Sequence, residues 1–172
     1  EADKLVLDFA ENNPNSTKKE MAFLNVGNFY FANKKASYAL KWYSKVNPKI
    51  LSTDNQQELD FKIGYALLTT GNLKLAREKF LPLINNPRYG NDSRYYYGFI
   101  AYKQEDYETA EIHLTEIAKQ ASYSSEVTYY LLDMSFKDGQ FEKCIEIGEK
   151  LLKDPKQKEA SDISKIVGES YF

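Results

Sequence analysis

The sequence predicts an all-α fold of repeated antiparallel helix hairpins, and three observations carry that expectation. Small residues recur at a nearly constant interval: Ala39, Ala76 and Ala110 are separated by 37 and 34 residues, and a further 34 lands on Cys144. Glycines run in step ahead of them, with Gly27, Gly64 and Gly98 each twelve residues before its alanine. Composition agrees: aromatic residues reach 15%, as 14 Tyr and 10 Phe against one Trp, while 172 residues hold only five Pro and eight Gly. Few helix breakers and many large packing groups describe a folded helical chain, not a disordered one.

The elements follow in order. Residues 1–14 read as a lone second helix, with Ala2 at the small position, 37 residues before Ala39, and Pro14 at its end. Residues 20–53 hold a hairpin marked by Gly27, Tyr30, Ala39 and Tyr43, turning at Asn33-Lys34-Lys35. Residues 57–90 hold the next, with Gly64, Ala76 and Phe80 and a turn at Thr70-Gly71-Asn72. Pro82 falls inside its second helix and should end that helix early, because proline lacks the N–H and clashes with the preceding turn. Residues 91–124 carry Gly98, Tyr107, Ala110 and Leu114 around Gln104-Glu105-Asp106. Residues 125–158 depart from the pattern. Leu132 replaces the glycine, Cys144 the alanine and Gly148 the bulky residue, while Gly139 and Phe141 keep the register. Residues 159–172 read as a lone first helix with Gly168 and Tyr171. Each turn is flanked by apolar positions at three- and four-residue spacing, the mark of amphipathic helices. Pro48, Pro87 and Pro155 fall near the ends of second helices.

The spacing has a physical reason. Helices packed about 8–10 Å apart need small side chains where their axes approach. A glycine inside a helix costs about 0.5–1 kcal/mol relative to alanine, and close packing is the compensation. The bulky Tyr30, Tyr43, Phe80, Leu114 and Phe141 are expected to fill the space between hairpins.

These residues resemble the tetratricopeptide repeat, a helical-hairpin family of 34-residue period. GNFYFANKKASYALKWY (27–43), GYALLTTGNLKLAREKF (64–80) and GFIAYKQEDYETAEIHL (98–114) match its glycine, small and bulky positions in register. The resemblance spans essentially all of 1–172 as one array. It implies a right-handed α-solenoid of about ten stacked helices whose concave face is lined by first helices. Because the chain starts and stops in mid-repeat, it reads as a segment of a longer array or one with degenerate caps. NNPNS (12–16) and the Tyr- and Phe-rich first helices also resemble bacterial cell-envelope members of the outer-membrane-assembly and division-coordinator lipoprotein type. That implies a periplasmic or cell-envelope setting over a cytoplasmic one.

Charge and motifs exclude several functions. A formal net charge of −2, with acids and bases interspersed, argues against a nucleic-acid surface, which needs a basic stripe. No run of eighteen apolar residues occurs, so nothing here inserts directly into a membrane. There is no phosphate-binding glycine loop, HExxH, nucleophile elbow or paired CxxC, so the expectation is a non-enzyme without cofactor or metal. His113 and Glu116 share a helix face, but one imidazole and one carboxylate are too few ligands for a metal. His113 therefore reads as a boundary residue, Cys144 as a buried inert thiol and Trp42 as partly core.

What remains is a protein-interaction scaffold. The resemblance implies groove-facing residues Leu24 and Asn28, then Phe61 and Tyr65, then Tyr95, Phe99 and Tyr102, then Tyr129, Asp133 and Phe136. Asn28 lies beside Leu24 rather than a lysine, which argues against the family's carboxylate clamp. An aromatic groove with scattered acids suits a protein or peptide partner with apolar anchors, with basic residues to meet Asp92, Glu126 and Asp133. The alternative is a structural spacer or self-assembly module, a homo-oligomer included. Phe99, Tyr102 and Phe136 discriminate: more than about a third exposed favours binding, and full burial favours the spacer.

Overall fold

The structure, a computed structural model, describes residues 2–155 and 157–172, without the side chain of Ala2. The packing expected of Ala2, and Lys156 in the connector before the last helix, lie outside the described residues. Ten α-helices and no strand occur among them: α1 (Ala2–Asn12), α2 (Thr17–Ala32), α3 (Ala36–Tyr43), α4 (Thr53–Thr69), α5 (Leu73–Phe80), α6 (Gly90–Lys103), α7 (Tyr107–Ile117), α8 (Ser124–Lys137), α9 (Phe141–Leu151) and α10 (Ala160–Ser170). The expected turns separate α2 from α3, α4 from α5, α6 from α7 and α8 from α9. As its proline demands, α5 stops at Phe80 and passes into a 3-10 turn, Leu81–Leu83. The chain divides into two compact units, Glu1–Ser93 and Arg94–Phe172.

The four hairpin turns share one geometry. Lys34, Gly71, Glu105 and Gly139 have φ of 57°, 81°, 61° and 71°. The following N–H closes a 2.9 Å bond to the carbonyl five residues back: Lys35 to Tyr30, Asn72 to Leu67, Asp106 to Ala101 and Gln140 to Ser135. This is the Schellman arrangement, in which one left-handed residue lets the chain satisfy the last carbonyls of a helix. Asn72 and Asp106 then cap the next helix with their side chains.

In the first unit, Phe23, Leu24, Ala39, Trp42, Tyr43, Val46, Leu51 and Leu59 form the core, with Val6 and Ala10 of α1 packed against it. Trp42 is buried and meets Phe23 at 6.0 Å between ring centroids. The glycine positions work as the spacing requires. A Cβ on Gly27 would sit 2.5 Å from the Tyr43 ring, and one on Gly64 would sit 3.0 Å from Phe80. Tyr43 and Phe80 thus press on the glycines of their own hairpins, as Leu114 does on Gly98, while Tyr43 and Leu114 also share core clusters with Leu59 and Val127 of the next hairpin, as expected.

The second unit has two cores. Ala101, Ala110, Leu114, Ile117, Val127 and Met134 form one. Leu132, Cys144, Ile163, Ile166 and Val167 form the other. A Cβ on Gly98 would meet Leu114 at 3.0 Å. In the fourth hairpin the sizes are exchanged: Leu132 is fully buried on the first helix, and Gly148 on the second. A Cβ on Gly148 would come 2.2 Å from Val167 of α10. Phe141 does not fill interior space as expected. It opens α9, is 44% exposed and lies edge-on to Phe136.

A side chain seven residues before the glycine register fastens the chain after each second helix, in three of the hairpins. Buried Glu20 accepts the Asn47 N–H at 2.7 Å. Gln57 accepts from the Asn86 amide at 2.8 Å. Ser125 donates to Gln157 at 2.7 Å.

Candidate functional site

The ten residues implied as a groove fall in both units, four in the first and six in the second. In the first unit Leu24 is buried, 8% exposed, and belongs to the core. Its helix is covered on more than one side, so a position counted from the glycine need not face outward. Phe61 also packs inward, edge-on to Phe80 at 5.8 Å and stacked on Tyr89 at 4.9 Å. Asn28 and Tyr65 remain accessible. Asn28 accepts hydrogen bonds from the Tyr43 hydroxyl and the Lys62 ammonium, both at 2.9 Å. Tyr65 is 39% exposed and lies edge-on to Phe31 at 5.8 Å. Lys62 also pairs with Glu58 at 2.6 Å, and this bond holds the Glu58 carboxyl below its ordinary range.

In the second unit Tyr95, Phe99, Tyr102 and Asp133 come together on α6 and α8. Two phenol–carboxylate bonds bridge these helices. Tyr95 donates to Glu126 at 2.8 Å, and Tyr102 donates to Asp133 at 2.6 Å. Both donors and both acceptors are seven residues apart, two helical turns, so the bonds repeat in register. Between them lies Tyr130, which also donates to Glu126 at 2.8 Å. Its ring packs against Phe99 at 5.5 Å and Tyr102 at 5.0 Å. Tyr95 stacks on Phe99 at 6.2 Å and 16°, and meets Tyr123 at 5.3 Å. The result is a continuous row of rings whose planes are fixed by both packing and hydroxyl bonds.

The electrostatics are internally balanced. Asp133 also pairs with Lys137 at 2.8 Å. The Lys137 ammonium lies 5.3 Å over Tyr102 and 5.4 Å over Tyr107. Lys103 lies 5.5 Å over Phe99 and 5.6 Å over Tyr102. Burial first, then the bond to Glu126, pushes the Tyr95 and Tyr130 hydroxyls well above the ordinary phenol range. Tyr102 is raised likewise by burial and Asp133. The bond to Asp133 raises Lys137. Glu126 and Asp133, expected to meet basic groups of a partner, are therefore already engaged by this chain's own donors.

Tyr129 and Phe136 pack against the Leu132–Cys144 core, and the Tyr129 ring also lies 5.9 Å from that of Tyr130. Phe99, Tyr102 and Phe136 are all half-buried, so they meet neither exposure criterion. Sequence reasoning missed Tyr130, Lys103 and Lys137. The signal was the 31-residue separation shared by Tyr95–Glu126 and Tyr102–Asp133, which pairs positions on successive first helices.

The other candidates are structural. The His113 ring meets Tyr97 edge-on at 4.8 Å, and Glu116 is held by Lys119 at 2.7 Å. Cys144 is fully buried, its thiol raised by desolvation. Among the described residues no group of three His, Cys, Asp or Glu could hold a metal. No helix among them is long and apolar enough to cross a membrane.

No family model matches the sequence, and no curated protein does. Solved structures do match. MamA of AMB-1, in a P212121 crystal form, superposes with a TM-score of 0.73 at 14% identity, covering 91% of this chain and 82% of that one. MamA of MSR-1, in a C2 form, gives 0.69 at 16% identity, covering 89% and 85%. MamA contains tetratricopeptide repeats, and likeness at this identity speaks for fold. With ten helices arranged as hairpins and no strand among the described residues, the chain has a tetratricopeptide-like, all-α solenoid fold.

Proposed function

We propose that this chain is a protein-interaction scaffold that holds a peptide segment of a partner on the aromatic face of α6 and α8. The observation that carries this reading is the fixed row Tyr95–Phe99–Tyr130–Tyr102. Its rings are half-buried, so each is held by the fold yet leaves part of its surface for contact. Rigid aromatic side chains give large contact area at small entropic loss, which is why they dominate interface hot spots. The tetratricopeptide-like fold supports the reading by analogy of architecture. The proposal does not need Asn28 and Tyr65 of the first unit.

The test is selection from a library of random peptides on the purified chain, followed by affinity measurement against Phe99→Ala with Tyr102→Ala. The expected result is enrichment of binders whose affinity falls at least about tenfold in the double variant, with helicity retained by circular dichroism. If that variant melts early, Phe99→Ala alone serves, because it leaves both phenol–carboxylate bonds in place. Absence of enrichment, or binders indifferent to these substitutions, would overturn the reading in favour of a structural spacer.

A further inference from the structure

By register, α1 is a second helix and α10 a first helix, the two halves of one hairpin. Among the described residues α1 packs on α2, and α10 packs on α8 and α9. We infer that α10 of one copy of this chain docks on α1 of a second copy, completing a hairpin across the contact. The inference is independent of the α6–α8 face.

α1 carries apolar side chains over more of its surface than its own fold covers. Val6 and Ala10 pack on the first core. Leu5 and Phe9, one turn apart beside that buried face, are exposed, Leu5 at 67%. The same register positions 37 residues on are Trp42 and Val46, and both are buried. Leu83 and Ile117, the next counterparts of Phe9, are buried too. What covers Trp42 is the first helix of its own hairpin, through Phe23. α2 shows the same lack. Phe29 is 62% exposed, whereas its counterparts Ala66, Ile100 and Met134 are buried. Each of these follows a whole hairpin in the chain, while Phe29 follows α1 alone. Outer faces of terminal solenoid repeats are normally polar, and an open apolar face of this kind marks a contact surface.

α10 presents the matching gap. Gly27, Gly64 and Gly98 are each met by the bulky residue sixteen positions later, on the second helix of the same hairpin. Gly168 holds this register, is exposed and has nothing within 4 Å of its Cβ position. Ser161, seven residues earlier, stands where Glu20, Gln57 and Ser125 fasten the chain that leaves their second helix. Ser161 is exposed as well. In the register of the whole hairpins, Val6 of the second copy comes to Gly168 as Tyr43 comes to Gly27. Leu5 is then covered by α10 as Trp42 is by α2, and the chain leaving α1 comes to Ser161. A second copy meets both lacks with a single contact: a first helix with an open glycine joins a second helix with uncovered apolar side chains. The two surfaces differ, so the contact is heterologous and every copy carries both halves of it.

The experiment is sedimentation velocity of the purified chain from about 10 to about 500 μM, a range that reads a contact smaller than a standard interface. The weight-average mass is expected to rise with concentration. Gly168→Leu adds bulk where the fold leaves open space, and Leu5→Glu charges a side chain that is already exposed. Each should keep the parent's helicity by circular dichroism and weaken association at least about tenfold. Mixed in equal amounts the two variants should associate again, because the first keeps α1 intact and the second keeps α10 intact. A parent that stays monomeric throughout overturns the inference, as does a mixture no more associated than its components. Loss of association in Phe99→Ala, with none in Leu5→Glu, would place the self-contact on the α6–α8 face and overturn it too. The peptide selection described above is read separately, so either reading can fall without the other.

Discussion

Alanine at Gly27 and alanine at Gly168 should act in opposite directions, although the two glycines share a register. Replacing helical glycine by alanine stabilises by about 0.8–1 kcal/mol when nothing else changes. At Gly168 nothing lies within 4 Å of the new Cβ, so most of that gain should appear. At Gly27 the new Cβ falls 2.5 Å from Tyr43 Cδ1 and Cε1, which is 3.4 − 2.5 = 0.9 Å inside the lower limit of ordinary contact. The Tyr43 ring is 2% exposed and its hydroxyl is bonded to Asn28 at 2.9 Å, so it cannot tilt away freely. Overpacking of this kind costs about 1–3 kcal/mol. Taking the upper half of that range and subtracting the propensity gain leaves Gly27→Ala destabilised by about 1–2 kcal/mol. Trp42 is the only tryptophan and lies in the first unit, so its fluorescence reports unfolding there, while circular dichroism follows the whole chain. Urea titrations of both variants should show the Trp42 midpoint lowered in Gly27→Ala and the dichroism midpoint unchanged or raised in Gly168→Ala. A Gly27→Ala variant as stable as the parent would refute the claim that close approach, and not chance, places glycine here.

The turns make a second prediction. Glu105 and Lys34 occupy the left-handed position that Gly71 and Gly139 fill in the other hairpins. Left-handed geometry costs a non-glycine residue roughly 1–2 kcal/mol. After the entropy lost by glycine, Glu105→Gly should still raise stability by about 0.5–1 kcal/mol, read as a higher melting temperature. A third concerns alkali. Tyr95, Tyr102 and Tyr130 keep their protons in the folded chain above the ordinary value of 10.0. The folded state therefore binds more protons than the unfolded one above that value. Stability is whole below about pH 10 and falls as pH rises beyond it. Urea midpoints measured from about pH 8 upward should decline above pH 10, and Tyr102→Phe should shallow the decline.

Much of this fold was legible because turns and close contacts are local. Gly27, Gly64 and Gly98 mark where a second helix must approach, and Pro82 dictated the end of α5. Cys144 sat at a small position and is buried there. Other features depend on pairs that no single position reveals. The exchange of Leu132 and Gly148 reads as two departures from a pattern, whereas the structure shows both sites filled. Leu24 looked outward by counting, yet the helix carrying it is covered on more than one side. Phe141 looked like core, yet it begins a helix at a turn, where the chain has not entered the interior. At the candidate site the aromatic residues were visible in the sequence. Their ties to Glu126 and Asp133 were not, because these depend on how α6 and α8 are rotated about their axes.

The size exchange in the fourth hairpin also bears on how this chain can be cut and rejoined. The glycine contacts of α2–α3 and α4–α5 close within each hairpin, Gly27 on Tyr43 and Gly64 on Phe80, so each carries its own fit. Gly148 instead receives Val167 from the helix that follows. The smallest transplantable piece at that end is therefore three helices, α8 through α10. A graft or deletion that ends after α9 would leave a notch on α9 where Val167 belongs.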